Sequence, residues 1–258
     1  MIRFIINRLL QGLLVLFALY TITFFLAKAM PGEPFTTEKN ISEEAKAYQR
    51  ALYGLDKSML EQYVRYPINI ITEGSFAVST SKGRPVRDII AQSFPNSLIL
   101  GLSALGIAIC IGVPLGVISA MRKNSWVDWG AMSIAMIGIC VPAFTVGPLL
   151  QIYIASHLPG LKVAGWGSPI DIILPALTLG LTTAAYLARL TRGGMLVILS
   201  QDFIITARAK GVPSNKLITR HALRGGLLPA IAFIGPSFAA LISGSFIVET
   251  IFQVPGMG

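Results

Sequence analysis

The stretch SLILGLSALGIAICIGVPLGVISA at residues 97–120 carries no charged side chain, and its only strongly polar groups are serine hydroxyls. A helix rises about 1.5 Å per residue, so about 20 such residues cross the roughly 30 Å hydrocarbon core of a bilayer. The stretch is apolar on every face instead of on alternate residues, which selects a spanning helix over a porin-like strand. Four further runs read the same way, at residues 9–29, 130–156, 170–188 and 228–248. The last two carry Pro175 and Pro229 near their starts, where a missing amide donor costs least. The sequence therefore predicts an all-α polytopic membrane protein with five spans.

Composition agrees, with 53% hydrophobic and only 13% charged residues. The formal charge of +9 suggests nucleic acid less than topology, because the basic residues are unevenly placed. Arg3 and Arg8 precede the first span, Arg122 and Lys123 follow the second, and Arg189, Arg192, Arg208, Lys210, Lys216, Arg220 and Arg224 lie between the fourth and fifth. Only Asp128 and Asp202 oppose them. The positive-inside rule then puts the N-terminus and both of those loops in the cytoplasm. A cleavable signal ending at Ala27-Lys28-Ala29 is the competing reading of the N-terminus, but the apolar run there is as long as a full span and exceeds a signal core. An uncleaved helix is expected, within a first segment of residues 1–30.

Residues 31–95 carry eight basic and eight acidic side chains, from Glu33 through Asp88, and no net bias. Ser42-Glu43-Glu44-Ala45-Lys46-Ala47-Tyr48 reads as an N-capped helix and Ser81-Lys82-Gly83-Arg84-Pro85 as a turn. A small extracytoplasmic subdomain is expected there, followed by a membrane core at 96–258.

Chemistry is sparse. Cys110 and Cys140 fall inside apolar runs, and His157 and His221 lie far apart without a carboxylate cluster, so neither a metal site nor a nucleophile–base pair is expected and no catalytic residue is nominated. No titratable group sits in the middle of a run, whereas an ion-coupled carrier needs one at membrane depth. No G-x-x-x-x-G-K-[ST] run occurs either, so an ATPase, with its ATP and Mg, has to belong to another subunit.

The basic loop at 189–228 is then the part to explain. Gln201 to Lys210 is compatible with a helix carrying Asp202 near its start and basic residues near its end, as the helix dipole favours. Gly211 stops it, Ser214 reads as a new N-cap, and a second helix leads to Pro229. These charges are explained either by attraction of a surface helix to anionic lipid, at about 1 kcal/mol per charge, or by a rigid element pressing into a partner, with Ala207, Ala209 and Gly211 allowing close approach.

Thr206-Ala207-Arg208-Ala209-Lys210-Gly211, Arg220-His221-Ala222-Leu223-Arg224 and Leu228-Pro229 resemble the ATPase-docking loop of ABC importer permeases, in the version serving dipeptides, oligopeptides and sometimes nickel. Met30-Pro31-Gly32-Glu33-Pro34, Gly54-Leu55-Asp56, Gly83-Arg84-Pro85, Pro114-Leu115-Gly116, Val141-Pro142, and Val248-Glu249-Thr250-Ile251-Phe252 with Pro255-Gly256 are similar to that family in the same order. The resemblance covers nearly the whole chain. It implies the type I importer permease fold in an inner membrane, a coupling helix around residues 205–213, and alternating access driven by two ATP-binding subunits. A homologous second permease subunit and an extracytoplasmic substrate-binding protein are the other implied partners, besides the lipid bilayer. Lys210 and Arg208 would meet acidic rims on the ATPase. The general importer loop begins Glu-Ala-Ala where this chain has Ile205-Thr206-Ala207, so an acidic contact there is not carried over. Family members continue past the Pro-Gly motif into a sixth span, so a truncated or partial chain is expected at Gly258.

For the translocation path, Thr182, Thr183, Tyr186, Ser243 and Ser245 are the candidate lining residues, with Glu249 at an outer end, able to meet a peptide amine or to anchor its helix. The alternatives are a membrane scaffold whose basic loop recruits a cytoplasmic partner, or the same permease class carrying nickel or another solute.

Overall fold

The computed structural model describes residues 1–30, 55–74, 76, 78–79, 82–158 and 160–258. The readings of a helix at 42–48 and of the motifs at 31–34 and Gly54 lie outside these residues. The chain forms two compact units, Met1–Ile89 and Ile90–Gly258. Among the described residues the structure is helical, with a single isolated bridge between Val78 and Pro85.

In the first unit α1 spans Ile2–Ala29 and has no buried residue. It starts earlier than the apolar run suggested, because Arg3 and Arg8 are tolerated on an exposed helix. Helix α2, Met59–Glu73, is N-capped by Ser58, whose hydroxyl accepts from the Glu61 amide, and it ends at Gly74 in the left-handed region. Tyr63 of α2 packs on Tyr20, Phe24 and Phe25 of α1, with ring centroids 5.1, 5.3 and 6.0 Å apart. The turn read at Lys82-Gly83-Arg84-Pro85 is present, Gly83 having φ +61°.

Helix α3, Val86–Met121, begins in the first unit and continues into the second. The second unit is built around α6, Ile173–Leu199, entered through a single turn of tighter helix at Pro169–Ile172. Half of the span window containing α6 is buried, against a third for α3 and none for α1, so α6 is the central element. It contacts α4 (Trp126–Cys140), α5 (Ala143–Leu150), α8 (Ser214–Gly226), α9 (Leu228–Ile242) and α10 (Phe246–Phe252), with α7 (Asp202–Ala209) at its end. Small residues bring α3 and α6 together backbone to backbone. A Cβ on Gly116 would lie 2.6 Å from that of Thr191, one on Gly112 would strike the Ala184 carbonyl, and one on Gly180 would lie 2.8 Å from the Ala104 carbonyl. Close approach of this kind replaces the hydrophobic drive that lipid removes.

Among the described residues three helices are long and apolar enough to cross a membrane, and up to five spans result when each bent pair counts as one. The bends correct the sequence reading. The expected third span breaks at Val141-Pro142, where α4 and α5 meet at 104°. Val141 is extended, as a residue before proline is pressed to be, and Pro142 offers no amide to continue the ladder. The fourth span does not stop at Ala188 but runs to Leu199, so Arg189 and Arg192 lie on α6 and not in a loop. The fifth ends at Ile242, and Gly244, with φ +90°, turns the chain into the separate α10. Ser214 is not an N-cap: Pro213 holds that position without a side-chain bond, and Ser214 is the first helical residue.

The basic loop as a candidate docking site

Helix α7 and the turn that ends it place most of the nominated loop residues. Gln201 precedes it in extended conformation, Asp202 stands in the first turn and Arg208 in the last, each favourable to the helix dipole. Its exit is a Schellman turn. The Gly211 amide donates to the Arg208 carbonyl at 3.0 Å and the Val212 amide to the Ala207 carbonyl at 3.2 Å, with Gly211 at φ +78°. Among the described residues nothing lies within 4 Å of where a Gly211 Cβ would be, so glycine is required here for its backbone angle and not for close packing against them.

The loop is anchored, not loosely tethered. Ile204 is fully buried in a cluster with Leu217, Ile218 and Ala222 of α8, Met195 of α6 and Ala120 of α3. Gly194 and Gly226 approach so closely that a Cβ on either would collide with the other helix, which locks α8 against α6. Helix α8 contains a π-helical stretch, Leu217–Ala222, the wide form often found where function interrupts a helix. Asp202, Thr206, Arg208, Ala209, Lys210, Gly211, Arg220, His221 and Arg224 are all exposed, and Ala207 is half-buried against the cluster. Phe203 and Ile205 are exposed as well, at 52% and 57%. The site thus carries two exposed apolar side chains, one on each side of the buried Ile204, among exposed cations on a fixed base.

Phe203 was not among the nominated residues. Its signal was available, since Phe203, Ile204 and Ile205 are consecutive and cover about 200° of a helix, so one buried stripe cannot hold all three.

A second feature escaped the sequence. The Asp128 carboxylate, 3% exposed, takes two parallel bonds from Arg192 of α6, Nε to Oδ1 at 2.6 Å and Nη2 to Oδ2 at 2.7 Å. It also accepts from the Ser119 hydroxyl of α3 and from the Asn124 amide at 2.9 Å. One carboxylate therefore joins the end of α3, the turn before α4, and α6 about three turns ahead of α7.

The path candidates fall on different elements. Thr182 and Tyr186 stand one turn apart on α6; Tyr186 is exposed and lies 5.7 Å from the Phe233 ring of α9, while the Thr183 hydroxyl donates to the Leu179 carbonyl at 3.1 Å. Ser243 and Ser245 flank the Gly244 turn, the first donating to the Ala240 carbonyl at 2.9 Å and the second capping α10. Glu249 is buried. It accepts from the Ser97 hydroxyl at 2.8 Å and from the Gly258 amide at 2.7 Å. A Cβ on Gly256 would sit 2.6 Å from its Oε1, so the Pro-Gly motif is the wall against which this carboxylate is held. Among the described residues no group of His, Cys, Asp and Glu side chains is arranged to hold a metal ion.

Residues 112–258 match the family model described as binding-protein-dependent transport system inner membrane component, and residues 1–101 match the N-terminal model of that transport-system membrane component. The oligopeptide transport system permease protein OppB of Escherichia coli K12 is 41% identical over 261 residues, covering 100% of this chain and 85% of the relative. The dipeptide transport system permease protein DppB of Bacillus subtilis 168 is 40% identical over 261 residues, with 100% and 84% covered. A crystal structure of an amino acid ABC transporter with histidines aligns with 67% of this chain and 75% of its own at 20% identity and a TM-score of 0.48.

Proposed function

Since the chain belongs to the family of binding-protein-dependent transport system inner membrane components, we propose that it is the transmembrane permease subunit of an ATP-driven importer of dipeptides or oligopeptides. The observation that carries this is the similarity, along the whole chain, to permease proteins of oligopeptide and dipeptide transport systems. The chain is a multi-pass membrane protein, and its own role is to form the path.

In this reading ATP and Mg are bound by two partner ATPase subunits, a second homologous permease completes the path, and a binding protein delivers cargo from outside. The N-terminus and α7 face the cytoplasm, as the distribution of Arg and Lys favours. Phe203 and Ile205 enter a groove of the ATPase, and Arg208, Lys210, Arg220 and Arg224 steer its acidic rim. The anchoring of Ile204 beneath α7 supports a rigid transfer of motion, because a docking element hinged freely on the spans would dissipate the movement of its partner. Residues 31–95 stay extracytoplasmic. Thr182, Thr183, Tyr186, Ser243 and Ser245 are proposed to offer hydroxyls to a peptide backbone along the path, while Glu249 holds the outer end together. Hydroxyls suit cargo whose side chains vary, since they read the invariant peptide groups.

The test is uptake of labelled dipeptides and oligopeptides by cells producing the full chain with its transport system, together with co-purification of ATP-binding subunits. Placing a charge in an apolar anchor costs about 2 kcal/mol or more at an interface, a loss of roughly thirtyfold or more in affinity. The Phe203→Asp, Ile205→Asp double variant is therefore expected to insert normally yet lose both the ATPase subunits and uptake. Unchanged co-purification and uptake would sink the docking assignment, and absence of peptide uptake by the unaltered chain would sink the cargo.

A further inference from the structure

Helix α2 has no part in the mechanism above. On a helix turning about 100° per residue, Leu60, Val64, Ile68 and Ile71 fall within an arc of about 80°. All four are exposed, at 76%, 50%, 49% and 82%. On one side of this arc are Tyr63 and Tyr66, which pack on Tyr20 of α1. On the other are Glu61, Arg65 and Thr72, the first paired with Lys57 at 2.8 Å, which holds the Glu61 carboxyl below its usual range. The helix thus has one wall on α1, one polar wall and one bare apolar wall.

Where α2 touches α1 decides what covers that third wall. Helix α1 has 28 residues and is about 42 Å long, which exceeds the roughly 30 Å hydrocarbon core by about 6 Å at each end when centred. Tyr20 lies two and a half turns before Ala29, about 14 Å along the axis and hence about 8 Å inside the hydrocarbon boundary. Its hydroxyl donates to the backbone carbonyl of Tyr63 at 2.6 Å, and Thr21 shares a hydrogen bond with the Tyr63 hydroxyl at 2.7 Å. Nearer the end, Lys28 donates to Gln62 at 2.5 Å and lies 5.9 Å from the Phe24 ring, as a cation marking the interface does. The same stretch of α1 presents Ile22, Phe25 and Leu26 as exposed apolar surface.

We propose that α2 lies in the membrane interface beside the first span and that Leu60, Val64, Ile68 and Ile71 contact lipid acyl chains just below the headgroups. A water-exposed stripe would leave four large apolar side chains hydrated at the depth where α1 meets lipid. An amphipathic helix in the interface buries its apolar face about 5–10 Å into the headgroup and acyl boundary, which matches the level of Tyr20 when α1 is centred on the bilayer. The proposal refines the extracytoplasmic subdomain expected at 31–95, and it rests on α1 spanning the bilayer, as the permease reading requires, but not on cargo or partners.

Single cysteines test it in the full chain, with Cys110 and Cys140 replaced by alanine and the protein reconstituted in phosphatidylethanolamine–phosphatidylglycerol vesicles. A fluorophore is attached through Leu60→Cys, Val64→Cys, Ile68→Cys or Ile71→Cys, and through Glu61→Cys or Thr72→Cys for comparison, then quenched by lipids bearing nitroxide high on the acyl chain or by iodide in the buffer. The four stripe positions are expected to be quenched by the lipid severalfold more, and by iodide severalfold less, than the two polar positions. Iodide quenching equal to that at Glu61 overturns the proposal, and so does protection from both quenchers, which would mean that protein covers the stripe. Leu16→Cys on α1 separates the failures: lipid quenching there with none at the stripe overturns only the proposal, whereas none at either overturns the spanning helix as well. Four positions share one prediction, so a variant that fails to incorporate leaves three to decide it.

Discussion

Asp128 and Arg192 were legible in sequence only as opposite charges near span ends. Their pairing was not, because nothing local links residues 64 positions apart and either one has nearer partners of the right sign in the same loops. The bidentate geometry gives a specific expectation. Arg192→Leu leaves a nearly buried carboxylate without its cation and is expected to cost about 2–3 kcal/mol, the partial exposure of Arg192 keeping the loss below that of a fully buried pair. Removing both charges in Asp128→Leu with Arg192→Leu should return part of it. Thermal unfolding of the purified chain in a double-mutant cycle measures the coupling, and strictly additive losses would show that the two residues do not act together. Gly211, by contrast, was legible as a helix stop, since the positive φ that ends a helix in a Schellman turn is a local requirement that favours glycine.

At the scale of elements, apolar runs gave the helices, but their ends moved. The fourth run looked finished at Ala188 because arginines follow it, yet arginine is a good helix former and Arg192 is neutralised by a carboxylate from another helix. The third run looked continuous because hydropathy does not register Pro142 strongly, although the missing amide turns the chain by 104°. How α3 meets α6 was legible only in part: Gly112 and Gly116 are spaced as a small-xxx-small pair, which marks a close helix contact but not the helix that makes it. The contact separates them by position. Gly116→Leu has to displace the Thr191 side chain and the Ala188 carbonyl and is expected to cost about 3 kcal/mol, at the upper end for overpacking. A Cβ at Gly106 on the same helix meets nothing within 4 Å among the described residues, so Gly106→Leu is expected to be near neutral or slightly favourable. Equal melting temperatures for the two variants would refute the backbone-to-backbone crossing.

For the whole molecule, the distribution of Arg and Lys predicts an orientation: a cysteine at Lys210 or near Met1 should react with a membrane-impermeant thiol reagent only after the cytoplasmic side is opened, and labelling in intact cells would reverse the topology. The sequence by itself determined that this is an all-helical membrane protein, because crossing a bilayer is a requirement of length and apolarity that each segment meets alone. Its motifs, in order along the chain, also marked it as a transport permease, as the match over residues 112–258 bears out. Only the tertiary structure decided which helix is central, that Glu249 turns inward to Ser97, that Ile204 is buried while Phe203 and Ile205 stand free, and that Asp128 closes on Arg192. The physical reason is one of range. Spans, caps and turns are fixed by neighbours a few residues away, whereas burial and charge pairing depend on which distant helix arrives, and lipid gives every apolar face an equally good alternative.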